Sequence, residues 1–265
     1  MTRLTFCRLL LTAAALLTAA PGHAVTTLKI ATIAPDGTTW MREMRAGADE
    51  VDKQTQGRVK FKFFPGGIMG DDGSVLRKIR IGQLQGGAFA GGSLSAIYPD
   101  AQLYSLPMLF RSYAEVDYAR ERMDSTLRKG LEDAGFVPIG FTEGGFAYLF
   151  SKQTINSQND LKKTKIWVPE GDLVSTTAFQ SAGVAPVPLP FADVYTGLQT
   201  GLLDTVATLP TAAIAFQWHT KLKTFVDVPL IYVIGVLAIN RTSFEQISPE
   251  DQAVVRKVMA EAIAR

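Results

Sequence analysis

Two rhythms of apolar and polar positions alternate along this chain. Leu28 to Ile33 is a short strand-like run stopped by Ala34-Pro35-Asp36-Gly37. Thr38 or Thr39 then caps a segment that places Trp40, Met44, Ala48 and Val51 at helical spacing. From Arg58 to Phe64, Val59, Phe61 and Phe63 alternate with Lys60 and Lys62, a strand with one wet face, and Pro65-Gly66-Gly67 ends it. A helix is predicted over 71–83, a small-residue strand over 87–90 and a long helix over 113–134. A second block repeats the theme, with strands at 137–141, 146–150, 165–168 and 205–207 and helices near 173–181 and 193–198. Pro186, Pro188 and Pro190 hold the approach to the last of these extended. The final helix starts at a Ser248 cap with Pro249 in its first turn, and Val254, Val255, Met259 and Ile263 form its buried stripe. Strand–helix alternation of this kind predicts an α/β fold with largely parallel sheets.

Composition changes the picture once the first segment is set apart. Residues 1–24 carry Arg3 and Arg8, an apolar run from Leu9 to Leu17 and small residues at Gly22-His23-Ala24, the pattern of a secretory signal cleaved near Ala24. The run is too short to span a membrane. Without it the 265-residue chain becomes 241 residues in which basic and acidic groups are equal at 25 each, with no cysteine and one histidine, His219. An exported chain without cysteine has no disulfides and relies on its core. One histidine excludes a Cys/His zinc site, and neutral, interspersed charge leaves no footprint for nucleic acid. The chain ends at Arg265 without a glycine or other cap, which reads as a shortened chain or one lacking a further helix.

Candidate chemistry is sparse. Gly86-Gly87 and Gly91-Gly92 flank a strand, but no phosphate-cradle spacing is present, and tight backbone packing is the plainer reading. Asp71 and Asp72 could bind a cation; a helix's first turn, where negative charge is favoured, accounts for them better. Glu143, Glu170 and Asp172 read as loop or hinge groups, and His219 has no recognisable nucleophile partner, so no catalytic residue, metal site or cofactor is expected. In an α/β fold, ligands sit beyond strand carboxyl ends or between lobes. Trp40, Phe110, Phe146, Tyr148, Trp167 and Phe191 recur at turn-adjacent positions of that kind.

At these residues the chain resembles the solute-binding subunits of TRAP (tripartite ATP-independent periplasmic) transporters. The resemblance runs through Leu28-Lys29-Ile30-Ala31, Phe64-Pro65-Gly66-Gly67, Gly70-Asp71-Asp72, Leu106-Pro107-Met108-Leu109-Phe110 and Val168-Pro169. It is densest at Phe191-x-Asp193-Val194-Tyr195-Thr196-Gly197-Leu198-Gln199-Thr200-Gly201 with Asp204. It implies a two-lobed periplasmic-binding-protein-like (type II) fold, lobe I being residues 25–145 plus 233–265 and lobe II residues 146–232. The lobes close on a small organic ligand and pass it to the membrane permease subunits. It also implies a periplasmic receptor that works as a monomer and is not an enzyme. The ligand-binding residues expected are Trp40, Gly92, Ser93, Phe110, Phe146, Tyr148, Trp167, Glu170, Phe191, Asp193, Thr208 and Leu209.

The departures shape the ligand expected. Where the family usually carries a carboxylate-clamping arginine this chain has Trp167, and a second arginine of some members falls at Ala147. No arginine occurs between Arg128 and Arg241. The expectation is an apolar or aromatic ligand stacked on Trp167 and Phe146. The alternatives are an organic acid held by a lysine or by a first-lobe arginine such as Arg111, or a ligand-sensing module for a signalling partner.

Overall fold

The computed structural model describes residues 25–265; the predicted signal segment, residues 1–24, lies outside the described residues. In chain order the elements are β1 (Thr26–Thr32), α1 (Thr39–Gln54), β2 (Val59–Phe64), α2 (Asp72–Arg80), β3 (Gly86–Ala90), α3 (Tyr113–Asp133) and β4 (Phe136–Ser151). They continue with α4 (Gln158–Leu161), β5 (Ile166–Pro169), α5 (Leu173–Ser181), β6 (Val187–Leu189), α6 (Val194–Thr200), β7 (Thr205–Thr208) and α7 (Pro210–Ala215). The chain closes with β8 (Thr224–Asn240), α8 (Arg241–Phe244) and α9 (Pro249–Ile263). Among the described residues the strands form one eight-stranded sheet in the order β2-β1-β3-β8-β4-β7-β5-β6.

That sheet has two halves with different partners. β1 lies parallel to β2 and β3, and β5 lies parallel to β6 and β7, as βα crossovers require. The halves are joined by β4 and β8, which run antiparallel from Phe136 opposite Asn240 to Ser151 opposite Thr224. The carboxyl-terminal part of β8 pairs with β3, while the carboxyl-terminal part of β4 pairs with β7. Each long strand therefore belongs to one half at one end and to the other half at the other. Between these ends the β4–β8 register shifts at Glu143/Gly145 and Ala147/Leu149.

The period of two sorts the core onto both faces of each half. In the first half Ile30, Val137 and Ile239 point toward α1 and α9, while their neighbours Ala31, Phe136 and Ala238 point toward α2 and α3. In the second half Trp167 and Val206 face α6, whereas Ile166 and Ala207 face the opposite side. Caps set where several helices begin. Thr38 accepts from the Met41 N–H, Asp71 from Ser74, Ser112 from Glu115, Asp172 from Ser175 and Ser248 from Asp251. Arg58 grips the buried Asp251 through two hydrogen bonds of 2.8 and 2.7 Å, tying the start of β2 to α9.

Three sequence expectations are corrected. The strands expected at 137–141 and 146–150 are one strand, because Gly144-Gly145 makes a bulge rather than a break; Gly145 sits at φ 93°. The helix expected over 71–83 stops at Arg80. β8, the longest strand described, was not anticipated at all. On α9, Val255 and Met259 are buried as expected, with Val258 and Ala262 beside them, while Val254 and Ile263 are only partly covered. No helix among the described residues is long and apolar enough to cross a membrane.

Candidate functional site

Parallel strands followed by capped helices leave their carboxyl ends facing one region, and a cavity of about 300 Å³ opens there between the halves of the sheet. The first half contributes Ile33 beyond β1, the start of α2 at Asp71-Asp72-Gly73, Ala90 at the end of β3, and Gly92 and Ser93 just after it. The second half contributes Val168-Pro169-Glu170 at the carboxyl end of β5, Asp172 and Ser175 at the start of α5, and Ala207-Thr208-Leu209 at the carboxyl end of β7. Ala147, Ile231 and Val233 come from the two strands that join the halves. The halves approach closely: a Cβ added at Gly92 would lie 3.2 Å from Asp172 Oδ1, so glycine admits the carboxylate of the opposite half.

Of the residues expected to bind ligand, Gly92, Ser93, Trp167, Glu170, Phe191, Thr208 and Leu209 meet at this cavity. The other five are elsewhere. Trp40 packs on the core beneath α1 and α9. Phe110 stacks on Tyr104 with ring centroids 6.2 Å apart. Phe146 meets Tyr113 and Tyr232 edge-on at 5.1 and 5.3 Å, inside the first half's core. Tyr148 lies edge-on to Phe225, and Asp193 is exposed in the 3-10 turn before α6. Arg111, the alternative anchor for an acid, is not among the lining residues. Glu143 is held by the Arg120 guanidinium, and His219 Nδ1 lies 3.1 Å from the Ala213 carbonyl oxygen.

Trp167 lines the cavity but is only 1% exposed. Its indole N–H donates to the Leu189 carbonyl at 2.9 Å, and its ring meets Phe191 and Trp218 edge-on at 4.7 and 5.3 Å. The indole is thus a structural member of the second half's core. With Phe146 outside the cavity as well, the pair of stacking rings expected from the sequence is not assembled.

The lining not expected from the sequence is mostly apolar, but it includes three carboxylates, Asp71, Asp72 and Asp172. Asp71 caps α2 and Asp172 caps α5, and both face the cavity because a helix that follows a parallel strand starts at the strand's carboxyl edge. The sequence pattern puts Asp71 in a helix's first turn and reads Asp172 as a loop or hinge group; both are caps, and their place on the cavity wall follows from that position. Burial works against the Asp71 charge, but the hydroxyl and N–H of Ser74, with Arg77 and Lys78 nearby, hold its carboxyl below the ordinary value. Asp72 goes the other way. Burial raises its carboxyl from 3.8 to about 6, although Ser93 and the Ala90 N–H pull it down and Asp71 adds repulsion. Among the described residues no group of three or more His, Cys, Asp or Glu side chains is arranged to hold a metal ion.

Residues 30–265 match the family described as bacterial extracellular solute-binding protein, family 7. The 2,3-diketo-L-gulonate-binding periplasmic protein YiaO of Escherichia coli (strain K12) is 27% identical over 225 residues, 81% of this chain and 66% of that one. The sialic acid-binding periplasmic protein SiaP of Vibrio cholerae is 24% identical over 247 residues, 91% of this chain and 75% of that one. The TRAP periplasmic solute-binding protein of Xanthobacter autotrophicus Py2, solved with β-D-galacturonate, superimposes with a TM-score of 0.83 at 23% identity, covering 89% of this chain and 80% of the other. The chain spans 66% of the first of these relatives, just under two thirds of its length. The ligands in all three names are organic acids, which conflicts with the expectation of an apolar or aromatic ligand, and in the structure Trp167 and Phe146 do not form the stacking pair on which that expectation rested.

Proposed function

This chain belongs to the bacterial extracellular solute-binding proteins of family 7, and from that premise we propose that it is a periplasmic receptor for a small organic solute, serving a TRAP-type membrane permease. In this reading residues 25–145 with 233–265 form one lobe and residues 146–232 the other. The ligand binds between them, and bending of β4 and β8 closes the lobes. Export follows cleavage near Ala24, and the receptor acts as a monomer.

The observation that carries the reading is the cavity itself. It draws its walls from both halves of a sheet whose halves share two strands, and those strands shift register beside Ala147 and Val233, which line it. A ligand touching both walls stabilises the closed arrangement by its differential contacts, which is what a capture-and-delivery receptor requires. Glu143 and His219 are not among the cavity's lining residues; Glu143 pairs with Arg120 and His219 lies against a backbone carbonyl.

Small-angle scattering with tryptophan fluorescence tests the proposal. A periplasmic small-molecule extract is expected to lower the radius of gyration at monomer mass and to shift the emission of Trp167 and Trp218. Unchanged scattering and emission with every fraction of that extract would end the receptor reading.

A further inference from the structure

The walls of this cavity carry charge of one sign. Asp71 and Asp72 come from the first half and Glu170 and Asp172 from the second, and no lysine, arginine or histidine lines the cavity among the described residues. The acids named for the relatives would therefore enter facing carboxylates, with no guanidinium or ammonium to compensate. Two of the helix amino termini at the cavity, the other common anion holders, are already taken, whereas the start of α7 at Leu209 carries no side-chain cap. The Ser74 N–H at the start of α2 is bonded to Asp71 at 2.7 Å, and the Ser175 N–H at the start of α5 to Asp172 at 3.0 Å.

Between the carboxylates stand aromatic rings. Phe179, Phe191 and Phe216 line the cavity and are partly exposed, with the Phe191 and Phe216 centroids 5.4 Å apart. Ring faces attract cations through their quadrupole, and rings beside carboxylates with no competing cation are the surroundings in which a substituted ammonium is held. A bare metal ion suits the site poorly, because the carboxylates are divided between two walls and the rest of the lining is largely apolar.

Resting on the receptor reading above, we propose that the cleft selects a small organic ammonium compound, held between Asp72 on one lobe and Glu170 and Asp172 on the other and flanked by Phe191 and Phe216. The acidic walls disfavour a simple organic acid. The energetic logic falls on Asp72. Its carboxyl is pushed up to about 6 by burial while empty of a counter-charge, and an ammonium ligand supplies one. Closure brings acidic walls together, which is unfavourable without a cation between them, so the ligand's charge is also what makes the closed state accessible.

The test is calorimetry and thermal shift on the purified protein, with choline and putrescine as ammonium probes and D-galacturonate as the acid. An ammonium probe is expected to raise Tm and bind, with added salt weakening it. Glu170→Gln and Asp72→Asn are each expected to lower affinity about tenfold. Glu170 is exposed, so its variant keeps the test open if the Asp72 variant folds poorly. In parallel, the compound retained from a cell extract is identified by mass spectrometry. A nitrogen cation supports the inference even if neither probe fits; an acid without a basic nitrogen overturns it. Binding of D-galacturonate without binding of either ammonium probe overturns it too, yet leaves the receptor reading standing. Absence of closure with probes and extract alike removes both.

Discussion

The two halves of the sheet are stabilised by different means. In the first, long helices lie on both faces: on one, α1 buries Met41, Met44 and Val51 and α9 buries Val255, Val258 and Met259; on the other, α3 buries Val116, Leu127 and Leu131. The second has short helices, and α5 buries none of its residues fully. Its largest cluster centres on rings, Trp167 and Trp218 being 5.3 Å apart with Phe191 and Phe216 beside them. The first half keeps its core away from the cavity. In the second half Trp167, Phe191 and Phe216 belong to the core cluster and to the cavity wall at once. Stability and ligand recognition are thus separable on one side of the cleft and coupled on the other.

Core truncations should divide the halves most sharply. Trp218→Ala removes a side chain 1% exposed and is expected to cost about 3–5 kcal/mol and to weaken ligand binding, because Phe191 and Phe216 lose their backing. Met259→Ala, at 0% exposure on the inner face of α9, is expected to cost about 2–5 kcal/mol and leave affinity unchanged. Urea unfolding and calorimetry on both variants make the comparison, and equal losses of affinity would erase it.

A smaller effect concerns Asp72, whose carboxyl ends above its ordinary value because of burial. Asp72 goes from 3.8 to about 6 on folding, so the native state keeps its proton longer than the unfolded chain and the charge opposes folding above that range. Asp72→Asn is therefore expected to stabilise the ligand-free protein at neutral pH by up to about 3 kcal/mol. The gain should shrink as pH falls through about 6 and be gone below 3.8. Unfolding curves across that window check it; a gain that persists below the window would trace to packing instead of charge.

Helix caps give the smallest contrast. Ser248→Ala at the start of α9 and Asp172→Ala at the start of α5 each remove a side chain that accepts a backbone N–H, and each is expected to cost about 1 kcal/mol. Only the second faces the cavity, so only the second should change ligand affinity. An affinity loss in the Ser248 variant would show that the first half's frame reaches the cleft after all.

Local signals carried much of the fold. Helix starts were written in Thr38, Asp71 and Ser248, and alternation revealed β2, because each signal acts within a few residues. β8 escaped notice because a strand central to a sheet is covered on both faces and loses its alternation; Ile234 through Ile239 are all apolar or glycine, and all but one of them also fully or nearly fully buried hydrophobics. The glycine pair at 144–145 looked like the end of a strand, and only pairing with β8 makes it a bulge. At the site, Gly92, Ser93, Glu170, Thr208 and Leu209 were placed by their position after strands, and they came together. Trp40, Phe110, Phe146 and Tyr148 share that position but turn toward other rings or the core.

By itself the sequence determined the α/β alternation, most helix starts, the family and the lack of arginine between Arg128 and Arg241. Each depends on residue identity or short spacing. Tertiary structure alone decided which aromatic rings became core, that two long strands serve both halves, and that four carboxylates distant in the chain share one cavity. Those outcomes depend on which strand edges pair and which loops meet across them. Residues a hundred positions apart, such as Asp72 and Asp172, acquire a common electrostatic fate only when the fold brings their helix starts to the same edge.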